Sequence, residues 1–262
     1  MIRLIGWDAY WLVEVFDTSL LIAVLIAVTA STLTAYIGFG GALIMVPLYT
    51  LLFGPIEAIS ITTICSVLGL SYVVFKLISE IDWSEILPLG IGIIISTFLG
   101  IQFLTTADAS TITLGIGIFV VISGLTLLLN FKYRGKRGFG MNAVVGLACG
   151  GIMGSFGVPS GPLLVVYFLA APMSQIKQRA HILFPIWLMC FMTSSTLIFE
   201  GMVETETFLR AFLIIPGSLF GAWLGLYIFR KAPVTWFKSV ANWILIAIGA
   251  SLLFDYFKTA IL

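Results

Sequence analysis

Charge is what this chain has least of. Only 10% of its 262 residues are Asp, Glu, Lys or Arg, against about 25% in an average soluble domain, and 60% are hydrophobic. That balance excludes a soluble fold and calls for an integral membrane protein. Histidine is nearly absent, with His181 alone, and no HExxH pair or aspartate couple lies within the apolar runs, so a membrane-embedded enzyme has no machinery. The three cysteines, Cys65, Cys149 and Cys190, lie inside apolar runs without CxxC spacing and read as small buried hydrophobes; no metal site and no cofactor is expected. The twelve acids gather at the ends of runs, which leaves a sodium site or carboxylate proton relay without support. A net charge of +1 gives no reason to expect a nucleic-acid partner. No cleaved signal peptide is expected either, because Arg3, Asp8, Glu14 and Asp17 interrupt the first residues.

What is present is a succession of apolar runs of about 20 residues, the length that crosses a hydrocarbon core of about 30 Å. The first run, from about Val13 to Phe53, is too long for one span and is broken at Gly38-Phe-Gly-Gly41. Spans are expected at about Ala58 to Ile78, Ile86 to Leu104 and Ile112 to Phe131, with Thr105 to Ser110 supplying caps. After the basic stretch Lys132-Tyr-Arg134-Gly-Lys136-Arg137 the pattern starts again. Gly41-Ala-Leu-Ile-Met matches Gly161-Pro-Leu-Leu-Val at a separation of 120 residues, and Gly92, Gly100 and Gly124 match Gly217, Gly225 and Gly249 at 125.

The expected fold is therefore an all-α integral membrane protein of two inverted-topology repeats, each a broken or re-entrant helical hairpin followed by three transmembrane helices. The boundaries are 1–131 for the first repeat, 132–140 for a basic cytoplasmic connector and 141–262 for the second repeat. Lys and Arg collect on the cytoplasmic side. With the connector inside, Lys76, Lys132, Arg134, Lys136, Arg137, Lys177, Arg179, Arg230, Lys231 and Lys238 fall there, and only Arg3, Arg210 and Lys258 fall outside. Whether the hairpins re-enter or cross fully is open, as is a homodimer.

The breakers carry the candidate chemistry. A half-helix that starts inside the membrane exposes unsatisfied N–H groups and the positive end of its dipole, which together attract anions. In the first repeat Gly40 and Gly41 let backbone approach a ligand; in the second, Gly161 follows Ser160, a candidate cap, and Pro162 occupies the first turn. Arg179 suits bidentate contact with an oxyanion, and His181 can bind an anion when protonated or carry a proton. Thr62, Thr63 and Ser66 offer neutral hydroxyls from the corresponding span. Each has a bland alternative. Glycines let helices pack closely, Arg179 can snorkel at an interface, His181 can be a hydrogen-bonded structural residue, and hydroxyls can bond their own helix carbonyls.

The doubled unit resembles the TauE/SafE family of sulfite and organosulfonate exporters. The similarity runs through Gly38-Phe-Gly-Gly41-Ala-Leu-Ile-Met-Val-Pro47 and Gly54-Pro-Ile-Glu-Ala58, then Gly157-Val-Pro-Ser-Gly161-Pro-Leu-Leu and Gln178-Arg-Ala-His181. The chain departs from the commoner Gly-x-Gly-Gly-Gly form in having Ala42 after Gly40-Gly41, and Ser160 interrupts the second glycine run. The resemblance implies a multi-pass protein of the cell (inner) membrane that exports a small sulfur-containing anion such as sulfite or sulfoacetate. An anion channel and a transporter of a different small solute are the other readings the residues leave open.

Overall fold

Burying about 20 apolar residues at a time in lipid forces the backbone to satisfy its own hydrogen bonds, and the helix is the local solution. The computed structural model describes residues 18–37, 39–129, 131–169, 171–229, 243, 245–254 and 256. Arg3, Gly38, Arg230, Lys231, Lys238 and Lys258 lie outside them. The helices are α1 (Thr18–Ile37), α2 (Gly41–Phe53), α3 (Pro55–Leu77), α4 (Trp83–Thr106), α5 (Ala109–Leu128), α6 (Phe139–Phe156), α7 (Gly161–Phe168), α8 (Gln175–Phe199), α9 (Thr205–Phe229) and α10 (Leu245–Phe254). No strand occurs among the described residues. Seven of the helices, α1, α3, α4, α5, α6, α8 and α9, are long and apolar enough to cross a membrane. The protein is an all-helical, multi-pass membrane protein.

Both expected breaks are present. α1 and α6 each reach span length, and each is followed by a break and a short helix, α2 of 13 residues or α7 of 8. A tyrosine ties each short helix to its longer partner. Tyr49 donates its hydroxyl to the Ala23 carbonyl at 2.9 Å, and the Tyr167 hydroxyl donates to Asn142 Oδ1. Helix starts elsewhere follow ordinary rules. Pro55 opens α3 behind Gly54, while Asp82, Asp108 and Ser174 cap α4, α5 and α8 by accepting first-turn N–H groups.

The helix pairs are reciprocal between the halves: α4 packs on α6, and α9 packs on α1. α3 and α8 pack on each other at the centre. Lipid gives apolar helices no solvent-driven reason to associate, so close pairs rely on small residues that admit neighbouring backbone. α6 presents Gly146, Gly150 and Gly154 at four-residue spacing, and a Cβ on Gly150 would fall 2.4 Å from the Ile93 carbonyl oxygen of α4. α9 presents Gly217, Gly221 and Gly225 in the same spacing, and a Cβ on Gly221 would fall 2.3 Å from the Val28 carbonyl oxygen of α1.

Candidate functional site

Between the halves lies a cavity of about 300 Å³ that both breakers border. From the first half come Gly40 and the start of α2 at Gly41 and Ala42; from the second come Pro159 and the start of α7 at Gly161. Gly40 has φ of 104°, the left-handed region that glycine tolerates, and this turns the chain so that α2 begins abruptly. The Leu43 N–H folds back on the Gly40 carbonyl at 3.1 Å, and at the second breaker the Leu163 N–H does the same to Ser160 at 3.1 Å. The Gly41 and Ala42 amides of α2 and the Gly161 amide of α7, where Pro162 carries no N–H, have no preceding helical carbonyl to bond, so the dipole's positive end is unsatisfied there.

The second breaker is shaped by Gly157. Its φ of 64° ends α6 in a left-handed cap with its N–H on the Met153 carbonyl at 2.7 Å. A Cβ at that position would fall 2.2 Å from Ile59 Cγ1, so the turn also admits α3.

The candidate residues divide. Gly40, Gly41, Ser66, Gly161 and Arg179 line the cavity together. Thr62, Thr63, Ser160 and His181 do not. Thr63 donates to the Ile59 carbonyl of its own helix at 2.8 Å, and the Thr62 hydroxyl is buried with no hydrogen-bond partner among the described residues. Ser160 does not use its side chain as a helix cap, contrary to the expectation. Its hydroxyl is turned back to donate to the Cys149 carbonyl at 2.9 Å, holding the breaker against α6.

Arg179 and His181 part company because they are two residues apart on α8, and at 3.6 residues per turn such neighbours do not share a face. Arg179 joins Leu183 and Ile186, four and seven residues on, in facing the cavity. It stays exposed there and forms no ion pair among the described residues. His181 joins Lys177, four residues back, in a separate polar recess of about 440 Å³ with Asp82, Glu85 and Ser174. The imidazole is fully buried, stacks edge-on to Phe168 and accepts the Asp82 backbone N–H at Nε2, 2.9 Å away. The ring proton therefore belongs to Nδ1, which lies 3.6 Å from Glu85 Oε2. The Asp82 carboxylate receives the Ser84 hydroxyl and N–H, at 2.6 and 3.1 Å, and these donors hold its pKa below the ordinary carboxylate value.

Sequence reasoning missed three polar residues of the cavity, Ser31 and Thr34 on α1 and Ser218 on α9. A signal existed for the first two, which stand three apart in an apolar span just ahead of the breaker. Thr34 donates to its own Ala30 carbonyl at 2.9 Å, while the Ser218 hydroxyl has no partner among the described residues. None of the described residues forms a cluster of three or more His, Cys, Asp or Glu able to hold a metal.

A cavity lined by span-length helices and bordered by two short-helix starts fits a multi-pass membrane transporter. The family described as "Sulfite exporter TauE/SafE" matches residues 23–252, and the chain belongs to that family. It is thus a membrane transporter and not an enzyme. The chain is 27% identical, over 184 residues covering 67% of it and 70% of the relative, to the "Probable sulfite/organosulfonate exporter TauE" of Cupriavidus necator (strain ATCC 17699 / DSM 428 / KCTC 22496 / NCIMB 10442 / H16 / Stanier 337). It is 26% identical over 278 aligned positions, 90% of this chain and 98% of the relative, to the "Probable membrane transporter protein YunE" of Bacillus subtilis (strain 168). No solved structure matches the chain.

Proposed function

We propose that the protein exports a small sulfur-containing anion, a sulfonate or sulfite, across the cell membrane by alternating access of two inverted halves. The observation that carries this reading is the cavity between the halves, where Arg179 and the starts of α2 and α7 meet. A guanidinium without an ion-pair partner and two unsatisfied helix starts make one locus where an oxyanion replaces lost hydration with N–H donors. The reciprocal packing of α4 on α6 and α9 on α1 supports two structurally equivalent halves that rock or slide about that locus. Outward movement of one negative charge through an inside-negative potential is favourable by about 2.3 kcal/mol per 100 mV. The export direction therefore needs no coupled ion.

The test is reconstitution in proteoliposomes with an imposed inside-negative potential. Saturable efflux of sulfite or sulfoacetate is expected, and Arg179→Ala is expected to abolish both that flux and anion-dependent thermal stabilisation. Non-saturating flux at pore-like rates would make the protein an anion channel instead. Undiminished transport by Arg179→Ala would remove Arg179 from the site.

A further inference from the structure

The polar recess at the start of α8 holds a titratable group that the central cavity does not use. His181 lines it fully buried, and the Asp82, Ser174 and Lys177 beside it are exposed, so the recess brings water to the imidazole. Its Nε2 accepts the Asp82 backbone N–H at 2.9 Å, a donor that can neither turn over nor ionise. The bond therefore requires the neutral ring. Nδ1 carries that ring's proton and lies 3.6 Å from Glu85 Oε2; both atoms are buried and neither has a hydrogen-bond partner among the described residues.

A second proton has one place to go, Nε2. There it sets two N–H groups against each other, so the Asp82 bond is lost and the positive ring is drawn to the unpartnered Glu85 oxygen. Asp82 and Glu85 face the ring from the start of α4, and Lys177 from one turn back on α8. Of the other elements packed on α8, the turn before α4 brings Glu80, and α3 ends in Lys76 with its ammonium over the Tyr72 ring. α6 has no charged residue, and α7 brings Phe168 and a Tyr167 hydroxyl committed to Asn142. Two carboxylates and one ammonium in the recess offer a positive ring a partner, but not in its present hydrogen bond. Arg179 stands two residues before His181 on the same turn of α8 and faces the cavity. The Asp82 bond and the edge-on packing of Trp83 against Phe184, ring centroids 5.4 Å apart, fasten the start of α4 to that part of α8.

Resting on the transport reading above, we propose that His181 is a proton-operated latch between the starts of α4 and α8. Neutral, it ties α4 to the turn that carries Arg179. Protonated, it gives up the Asp82 N–H for Glu85 and shifts that turn, which weakens the cavity's hold on its anion. The proton is regulatory and is not carried with the anion.

Two readouts test the latch, each compared between about pH 7.5 and about pH 5.5, on either side of the ordinary histidine value of about 6.5. The first is hydrogen exchange of residues 79–85 in the purified full-length protein, corrected for intrinsic exchange. Wild-type protection is expected to fall on acidification, by at most about tenfold per pH unit for an opening that takes up one proton. His181→Gln, whose amide oxygen still accepts the Asp82 N–H but takes up no proton, is expected to keep its protection at both values. The second readout is calorimetric affinity for sulfoacetate, whose two acid groups stay ionised in this range. It is expected to weaken with acid in the wild type and to hold constant in His181→Gln. Unchanged wild-type protection or affinity would overturn the latch and leave the transport reading standing. So would a pH response that survives in His181→Gln and disappears in Glu85→Gln, which would assign the titration to the carboxylate. Absence of sulfoacetate binding at both values would count against the transport reading alone, and amide protection would still decide the latch.

Discussion

Arg210 Nη1 donates to Glu57 Oε1 at 2.7 Å, joining the start of α9 to the start of α3. The same guanidinium pairs with Glu206 one turn earlier and lies over the Phe53 ring, 4.9 Å from its centroid. At the separations that align the two halves, Glu57 corresponds to Lys177 and Arg210 to Glu85. In that sequence alignment an acid and a base stand opposite each other with their signs exchanged. In the second setting the acid does not pair with the lysine. Glu85 turns to His181 instead.

Removing Arg210 strands two partly buried carboxylates, and Arg210→Ala is expected to destabilise by roughly 2 kcal/mol. A double-mutant cycle of Glu57→Gln and Arg210→Gln, followed by thermal unfolding in detergent, should return a coupling of about 1–3 kcal/mol. Additive effects would show that the pair contributes no net stability.

Gly150 and Gly151 are neighbours with opposite environments. A Cβ on Gly150 meets Ile93 and Ser96 at 2.4 Å, while the nearest atom to one on Gly151 is 3.9 Å away. Gly150→Ala is therefore expected to force α4 from α6 and to cost about 1–3 kcal/mol. Gly151→Ala should be neutral or stabilising by up to about 1 kcal/mol, the helix preference of alanine over glycine. Unfolding midpoints of the two variants make the comparison, and equal midpoints would contradict the close approach of α4 and α6.

At the first breaker the two glycines should fail for different reasons. Gly40→Ala has open space but a φ of 104°, so its cost is backbone strain; Gly41→Ala places a Cβ 2.1 Å from Thr34 Oγ1 and 2.7 Å from the Ala30 carbonyl oxygen. Thr34→Ala/Gly41→Ala, which removes the clashing hydroxyl, should not recover the wild-type stability, because the Ala30 backbone carbonyl remains in the way. Circular dichroism melts of the single and double variants check this.

Asp82 predicts a pH dependence whose sign is set by its depressed pKa. The Ser84 donors favour the carboxylate in the folded state, so its stabilisation is present above the ordinary aspartate value of about 3.9 and is lost as pH falls through the lower folded value. Asp82→Asn keeps a competent cap but loses the charge, so it is expected to melt slightly lower than wild type at pH 7, with the gap closing as pH falls below about 4. A gap independent of pH from 7 to 3 would mean that the Ser84 hydrogen bonds do not favour the charged form.

Much of the helix plan was legible in the chain because lipid imposes a one-dimensional rule: apolar runs of span length become helices, and Gly-Pro-Ser interruptions break them. The breaks near Gly40 and Ser160, the cap at Asp108 and the buried cysteines all answer to local composition. Membership of the TauE/SafE family was legible in the same breakers. Side-chain destinations were not. Arg179 and His181 look like one site in sequence, yet a 3.6-residue turn sends them to a central cavity and a separate recess.

Sequence alone thus determined what each segment becomes, since hydrophobicity and backbone freedom are properties of consecutive residues. Only the tertiary structure decided which groups meet. Ser160 had a helix start within reach but took the Cys149 carbonyl, and Ser218 entered the cavity from α9, where the sequence singles out Gly217 and Gly225 but no hydroxyl. Those outcomes depend on how helices distant in the chain approach one another. That approach is set by glycine stripes and carbonyl contacts between α4 and α6 and between α9 and α1.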